Sequence, residues 1–301
     1  MTAVVVFSAT QVLVGGALIA DAAACPTWGA VITGSAIAEP SINEASGLVE
    51  SGDHPGVLWM IEDSSNPPIV WGINASGETV AKVTLLGAKN VDWEDISIDR
   101  LTGTDEIYVP DIGDNKGTRD GVKKPLPVIY RFPEPDVSAS GPIATSTVTP
   151  DAFPIRYADE SGNVLPPRNA ESYMVDPLTH DSFIVEKLAH TVAGKKQYFV
   201  SRLPATLTPG VVNLAVRISS VVSGTPVAAD ISADGQWILI KGGSTAQIWP
   251  RNGTVEQTLD ASPTSPCKAK VGPGESLAWS TEGLWTTPDG PAPRLYLTPP
   301  A

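Results

Sequence analysis

The chain has 301 residues, 42% hydrophobic and 18% charged, with 27 Gly, 28 Pro and eight Trp, which excludes a disordered or fibrous protein. Its net charge of −13 argues against nucleic-acid binding, which depends on clustered Lys and Arg that neutralise phosphates. The same excess of acid is compatible with a cation ligand.

Residues 1–24, MTAVVVFSATQVLVGGALIADAAA, are apolar, contain no Lys or Arg, and end in small residues before Cys25. They resemble the apolar core and cleavage site of a secretory signal without its basic start; the alternative is a buried N-terminal strand. A secreted or cell-envelope protein is expected, with one domain over residues 25–301. No later run is long and apolar enough to span a bilayer, so the mature chain should have no membrane span. In an exported chain Cys25 and Cys267 favour one disulfide; in an intracellular one they are two unrelated thiols.

Five segments share an acidic residue, a short β-type run, a turn and a second run. They are NEASGLVESGDHPGVLWMIED from Asn43, DWEDISIDRLTGTDEIYVPDIGD from Asp92, NAESYMVDPLTHDSFIVEKL from Asn169, AADISADGQWILIKGG from Ala228 and GESLAWSTEGLWTTPDG from Gly274. Two more strand-like runs follow each of the first four: PIVWGINA and ETVAKVTLLG, LPVIYRFPEP and TSTVTPDAFPIRYA, KQYFVSRLP and VVNLAVRISSV, AQIWPRN and TVEQTLD. Four strands per repeated unit is a propeller blade, so the reading is all-β, a five-bladed β-propeller. Splitting the long second unit gives six blades, and a β-sandwich or pair of small β domains is the other alternative. The fifth unit has room for SLAWS, LWTTP and RLYLTP, and TWGAVITGSAI near the N-terminus can complete it. That closing strand would protect sheet edges, and a Cys25–Cys267 bond would fasten the seam.

In a blade the first strand lines the channel and the second runs antiparallel to it, so the start of one and the end of the other share a face. The anchors Glu44, Glu94, Glu171, Asp230 and Glu275 would then ring one mouth. Asp63, then Asp111, Asp114 and Asn115 of DIGDN, and Lys187 and Lys241 would join them from the second-strand ends. Carboxylates so grouped raise one another's pKa unless a cation sits among them. Oxygen ligands with three His in the chain suit calcium best, magnesium or manganese less well, and zinc poorly. Register qualifies two anchors: aligned on the shared D-I-S, Ala229 and not Asp230 stands opposite Glu94, and the first repeat needs a one-residue slip at Glu44. Asp99, Asp105, Asp176 and Asp234 read as turn residues.

EASGL, the W-x-x-x-D-S at Trp59, DWEDI, DIGDN, RFPEP and NAES resemble secreted bacterial propellers of the phytase-like ("esterase-like activity of phytase") type. More distantly the chain is similar to calcium-dependent propeller phytases and gluconolactonase-type propellers. The resemblance implies channel metal ligands at Glu94, Asp111 and Glu171, and a phosphate-contacting Lys at Lys187. The chain departs in basic residues: two Lys, with Arg119 and Arg168 as possible additions, fit a smaller phosphate ester better than a hexaphosphate.

Two functions compete. In the first, a channel calcium activates water, and Lys187 and Lys241 act as catalytic residues that neutralise the transferring group of a small anionic ester. No G-x-S-x-G, H-E-x-x-H or P-loop signals another route. In the second, a non-catalytic propeller holds a structural calcium and binds a partner or glycan; lactone hydrolysis is a third possibility. A monomer is expected.

Overall fold

The computed structural model describes residues 24–101 and 103–301, so the expected signal segment lies outside the described residues apart from Ala24. The strands in chain order begin with β1 (Ile32–Ala36), β2 (Ala45–Glu50), β3 (Val57–Glu62), β4 (Ile69–Asn74) and β5 (Thr79–Leu85). Next come β6 (Ser97–Asp99), β7 (Glu106–Asp111), β8 (Val128–Pro133), β9 (Ala144–Val148) and β10 (Asp151–Ala158). They are followed by β11 (Ala170–Val175), β12 (Ser182–Val192), β13 (Lys195–Leu203) and β14 (Asn213–Val221). The remainder is β15 (Pro226–Ile231), β16 (Trp237–Gly242), β17 (Thr245–Pro250), α1 (Val255–Ala261), β18 (Cys267–Lys270), β19 (Ala278–Trp279), β20 (Leu284–Thr286) and β21 (Arg294–Thr298).

The described residues form an all-β structure in four sheets. One has the order β2-β3-β4-β5-β9, a second β15-β16-β17-β18, and a third β1-β21-β20-β19. The fourth has eight strands, β11-β12-β13-β14-β10-β8-β7-β6. It joins two four-stranded sets through a parallel β10–β14 pair, and its end strands β6 and β11 lie against each other, so it nearly closes on itself. Runs such as VLWMIE in β3 and AESYMV in β11 are buried along their whole length, which requires cover on both faces.

That cover is mutual. Five apolar clusters lie between successive strand sets. Trp59 and Val70 pack with Ile98 and Ile107, Tyr108 and Phe153 with Tyr173 and Ile184, and Met174 and Val185 with Ile231 and Ile240. Leu239 and Ile248 pack with Leu277 and Leu284, and Trp285 and Leu295 return to Leu48 and Met60. At the termini, β1 pairs antiparallel with β21, and Cys25 is bonded to Cys267 at the start of β18.

Two sequence expectations change. TVEQTLD is helix α1, not a strand: Thr254 accepts from Gln257 N and the Gln257 side chain accepts from Thr254 N, a reciprocal cap that favours helix. The strand expected there is β18 instead. TSTVTPDAFPIRYA divides at Pro150: β9 crosses to pair with β5, while β10 stays with β8.

The registers position the site. Ala45 lies opposite Glu62, Trp93 opposite Asp111, Ala170 opposite Glu186 and Ala228 opposite Lys241. Each antiparallel pair thus brings the start of its inner strand to the end of the next.

Candidate functional site

Asp63 follows β3, and Asp92 and Glu94 lie in the extended segment before β6. One carboxylate oxygen from each falls within 4.8 Å of the others. Asp92 and Glu94 are two residues apart, so in extended chain they share a side, while Trp93 between them turns into the core. Asn90 holds the neighbouring chain, its Nδ2 donating to the carbonyls of Glu62 and Asp63 at 2.9 and 2.8 Å. Gly113 packs directly beneath: its N donates to the Asp92 carbonyl, and a methyl group there would overlap the Glu94 and Asp92 carboxylates.

Positive charge is scarce in this group. Burial, followed by the carboxylates of Glu171, Asp63 and Asp92, pushes Glu94 well above the usual carboxylate range. Burial and Asp63 push Asp92 up to about 6, with Arg119 opposing. Burial also raises Asp63. No described residue donates a hydrogen bond to the Glu94 carboxylate, although the residue is only 4% exposed.

Glu171, at the start of β11, is 2% exposed. Its Oε1 is paired with Lys187 Nζ, and its Oε2 is buried with no partner. Burial outweighs Lys187 and pushes its carboxyl up to about 7, with Glu275 and Asp63 adding to the rise. Glu171 is also the carboxylate that acts most strongly on Glu94. Against the effect of burial, Glu171, Glu275 and Glu94 hold the Lys187 ammonium above its ordinary value.

The remaining sequence candidates divide by what they touch. Glu44 is exposed, its Oε2 accepting from Asn66 at 2.6 Å. Half-buried Glu275 acts on Glu171, Lys187 and Lys241. Asp111 is turned away to Arg119: both oxygens accept from the guanidinium, at 2.8 and 2.9 Å, and Oδ1 also accepts from Asp92 N. Asp114 accepts from the backbone of Thr118 and Arg119, and Asn115 is bonded to Asn169. These three residues brace the loop that carries Gly113. They also use Arg119, which is therefore engaged with Asp111 and not open to an anion.

Asp230 is deeper. Its oxygens accept from Ile231 N and from Trp279 N, the latter at 2.7 Å across to β19. Asp95, which the sequence reading left out, is its counterpart in the D-I-S alignment. Asp95 accepts from Ile96 N, Tyr173 N and Ala229 N, tying β11 and β15 to the segment before β6. Lys241 is fully buried, and Nζ donates to the Gly274 carbonyl; burial pulls its pKa down to about 8. Asp92 is the other residue the sequence reading missed, although its i, i+2 spacing to Glu94 was visible.

No family model matches the chain, and no curated protein matches it. Among solved structures it is similar to the PQQ-bound form of aldose sugar dehydrogenase from Streptomyces coelicolor, at TM-score 0.50 and 13% identity over 91% of this chain and 99% of that one. The fold is that of a β-propeller. Weaker likenesses are to Kuenenia stuttgartiensis hydrazine synthase (TM-score 0.39, 9% identity, 83% and 94% covered) and to the complex of KlAtg21 with the coiled-coil of AgAtg16 (TM-score 0.36, 12% identity, 85% and 67% covered). At such identity the first likeness speaks for the propeller architecture and not for chemistry.

Chemically, Asp63, Asp92 and Glu94 offer hard oxygen ligands, with no His or Cys in the group. Such a set suits a divalent cation of the calcium or magnesium type.

Proposed function

We propose that this chain is a secreted five-bladed β-propeller, closed by its N-terminal strand, that binds a divalent cation, calcium first, and hydrolyses a small phosphate ester in its acidic mouth. The cycle of five apolar clusters and the β1–β21 pairing support the ring. The Cys25–Cys267 bond supports export. No helix among the described residues is long and apolar enough to cross a membrane.

One observation carries the cation: Asp63, Asp92 and Glu94 converge; Glu171, the carboxylate with the largest effect on Glu94, keeps a buried oxygen without a partner. These four residues are the proposed ligands, with Glu44 and Glu275 at the rim. A calcium ion held by them would supply Lewis acidity and activate water for attack on the ester. Lys187 neutralises charge on the transferring phosphoryl group. Asp111, Asp114 and Asn115 hold the Gly113 loop against the ligands, and Lys241 and Asp230 tie neighbouring sheets.

A second reading is a structural cation in a binding module for a glycan or protein. It is favoured by the state of the two ammonium groups, since Lys241 is fully buried and Lys187 is paired with Glu171. Calcium-dependent turnover of p-nitrophenyl phosphate or a diester, abolished by Glu94→Gln, supports the hydrolase. Calcium binding without turnover of any phosphate or carboxyl ester supports the module.

A further inference from the structure

Lys187 stands in an ambiguous position for a residue that is to meet an anion. Among the described residues it is the one cationic side chain ion-paired with a member of the proposed ligand set. The pair is asymmetric. Glu171 is buried, its Oε1 on Lys187 and its Oε2 without a partner, whereas the Lys187 side chain is 30% exposed and has a path to solvent. Lys187 also acts on Asp63 and Glu94, so its charge is felt by three of the four carboxylates.

We propose that Lys187 is a resident counter-cation of the mouth, which a divalent cation displaces from Glu171, so that the ammonium is presented to an anion only once the cation is bound. This rests on the reading of the mouth as a cation site. The physical reasoning is competition for one carboxylate. Without a metal ion, the ammonium is the nearest compensation for a group of crowded acids. A divalent ion brings two charges to the same oxygens and repels the ammonium over a distance of a few ångströms. The flexible four-carbon stem lets Lys187 swing outward while Glu171 stays fixed in β11. Cation and anion would therefore bind in that order, and each would favour the other's binding.

The test is calorimetric titration of the purified full-length protein with calcium chloride at fixed ionic strength, for wild type, Lys187→Gln and Lys187→Arg. Inorganic phosphate is then titrated with and without calcium. Removing the competitor should tighten calcium binding about tenfold in Lys187→Gln, while Lys187→Arg stays within about threefold of wild type. Phosphate should bind wild type only when calcium is present, and Lys187→Gln should not bind it. Equal or weaker calcium binding by a folded Lys187→Gln overturns the displacement while leaving the cation site standing. Should that variant fail to fold, the wild-type arm decides: phosphate binding that ignores calcium overturns the proposal. Wild type that binds no calcium sinks both the displacement and the cation site.

Discussion

At the residue scale the informative fact is that similar-looking acids do different work. Asp111 and Asp230 are satisfied by a guanidinium and by backbone N–H groups, whereas Asp63, Asp92 and Glu94 crowd together without an ion-pair partner among the described residues. The sequence could show that D-W-E-D and D-I-G-D-N come back beside each other, as the Trp93–Asp111 bridge has it. It could not show that Arg119, a few residues on, takes Asp111 out of the group, because that pairing is set by the loop's path. Gly113 is a direct check on the geometry. Gly113→Ala should weaken calcium binding by about tenfold or more, since the methyl group displaces two proposed ligands, while leaving the melting temperature of the calcium-free protein within a few degrees. Calcium affinity unchanged in that variant would mean that the ligands lie elsewhere. Asp230 carries a separate prediction in pH. Burial raises its folded pKa from 3.8 to about 7, so its contribution to stability is complete below about pH 4 and is lost as pH rises through 7. Nearby acids with raised pKa values act in the same sense, so the difference between proteins is what counts. Unfolding free energies from urea titrations between pH 4.5 and 8 should fall in wild type and fall less steeply in Asp230→Asn, by up to about 1 kcal/mol per pH unit. Parallel slopes would mean that Asp230 ionises without penalty.

At the element scale, most strands were legible because β-branched and aromatic runs bounded by Gly, Pro, Asn and Asp occur where β2 to β5 and β15 to β17 form. Two features were not. A seven-residue helix has no room for an amphipathic pattern, so α1 is marked only by its Thr254–Gln257 cap. Strand β9 pairs with β5 across a long sequence gap, which local patterning does not report. The D-I-S match did align Ala229 and Asp230 correctly with Glu94 and Asp95, and a one-residue slip is what separates a mouth acid from a buried tie. The seam between the termini is also an element-scale feature. The Cys25–Cys267 bond links residues 242 apart, so it constrains nearly the whole unfolded chain. Reduction, or Cys25→Ser with Cys267→Ser, should cost about 2–5 kcal/mol by denaturant unfolding. A loss below about 0.5 kcal/mol would show that β1 holds to β21 without the bond.

At the scale of the whole molecule, function depends on convergence. The proposed ligands come from Asp63 after β3, Asp92 and Glu94 before β6, and Glu171 in β11, segments far apart in sequence; the fold brings the first three within reach of one another, and Glu171 acts on Glu94. A ligand that binds only the folded ring stabilises it in proportion to the logarithm of its concentration over Kd. The crowding of these acids is then the source of the cation's hold on them. The most direct test is the melting temperature of the metal-stripped full-length protein, with and without calcium, for wild type and Glu94→Gln, together with the calcium content of the refilled protein. We predict at least one calcium per chain and a rise of several degrees in wild type, about 2–4 °C for each kcal/mol of binding energy, and no rise in Glu94→Gln. A wild-type protein that retains no calcium and melts at the same temperature with and without it would contradict the cation site.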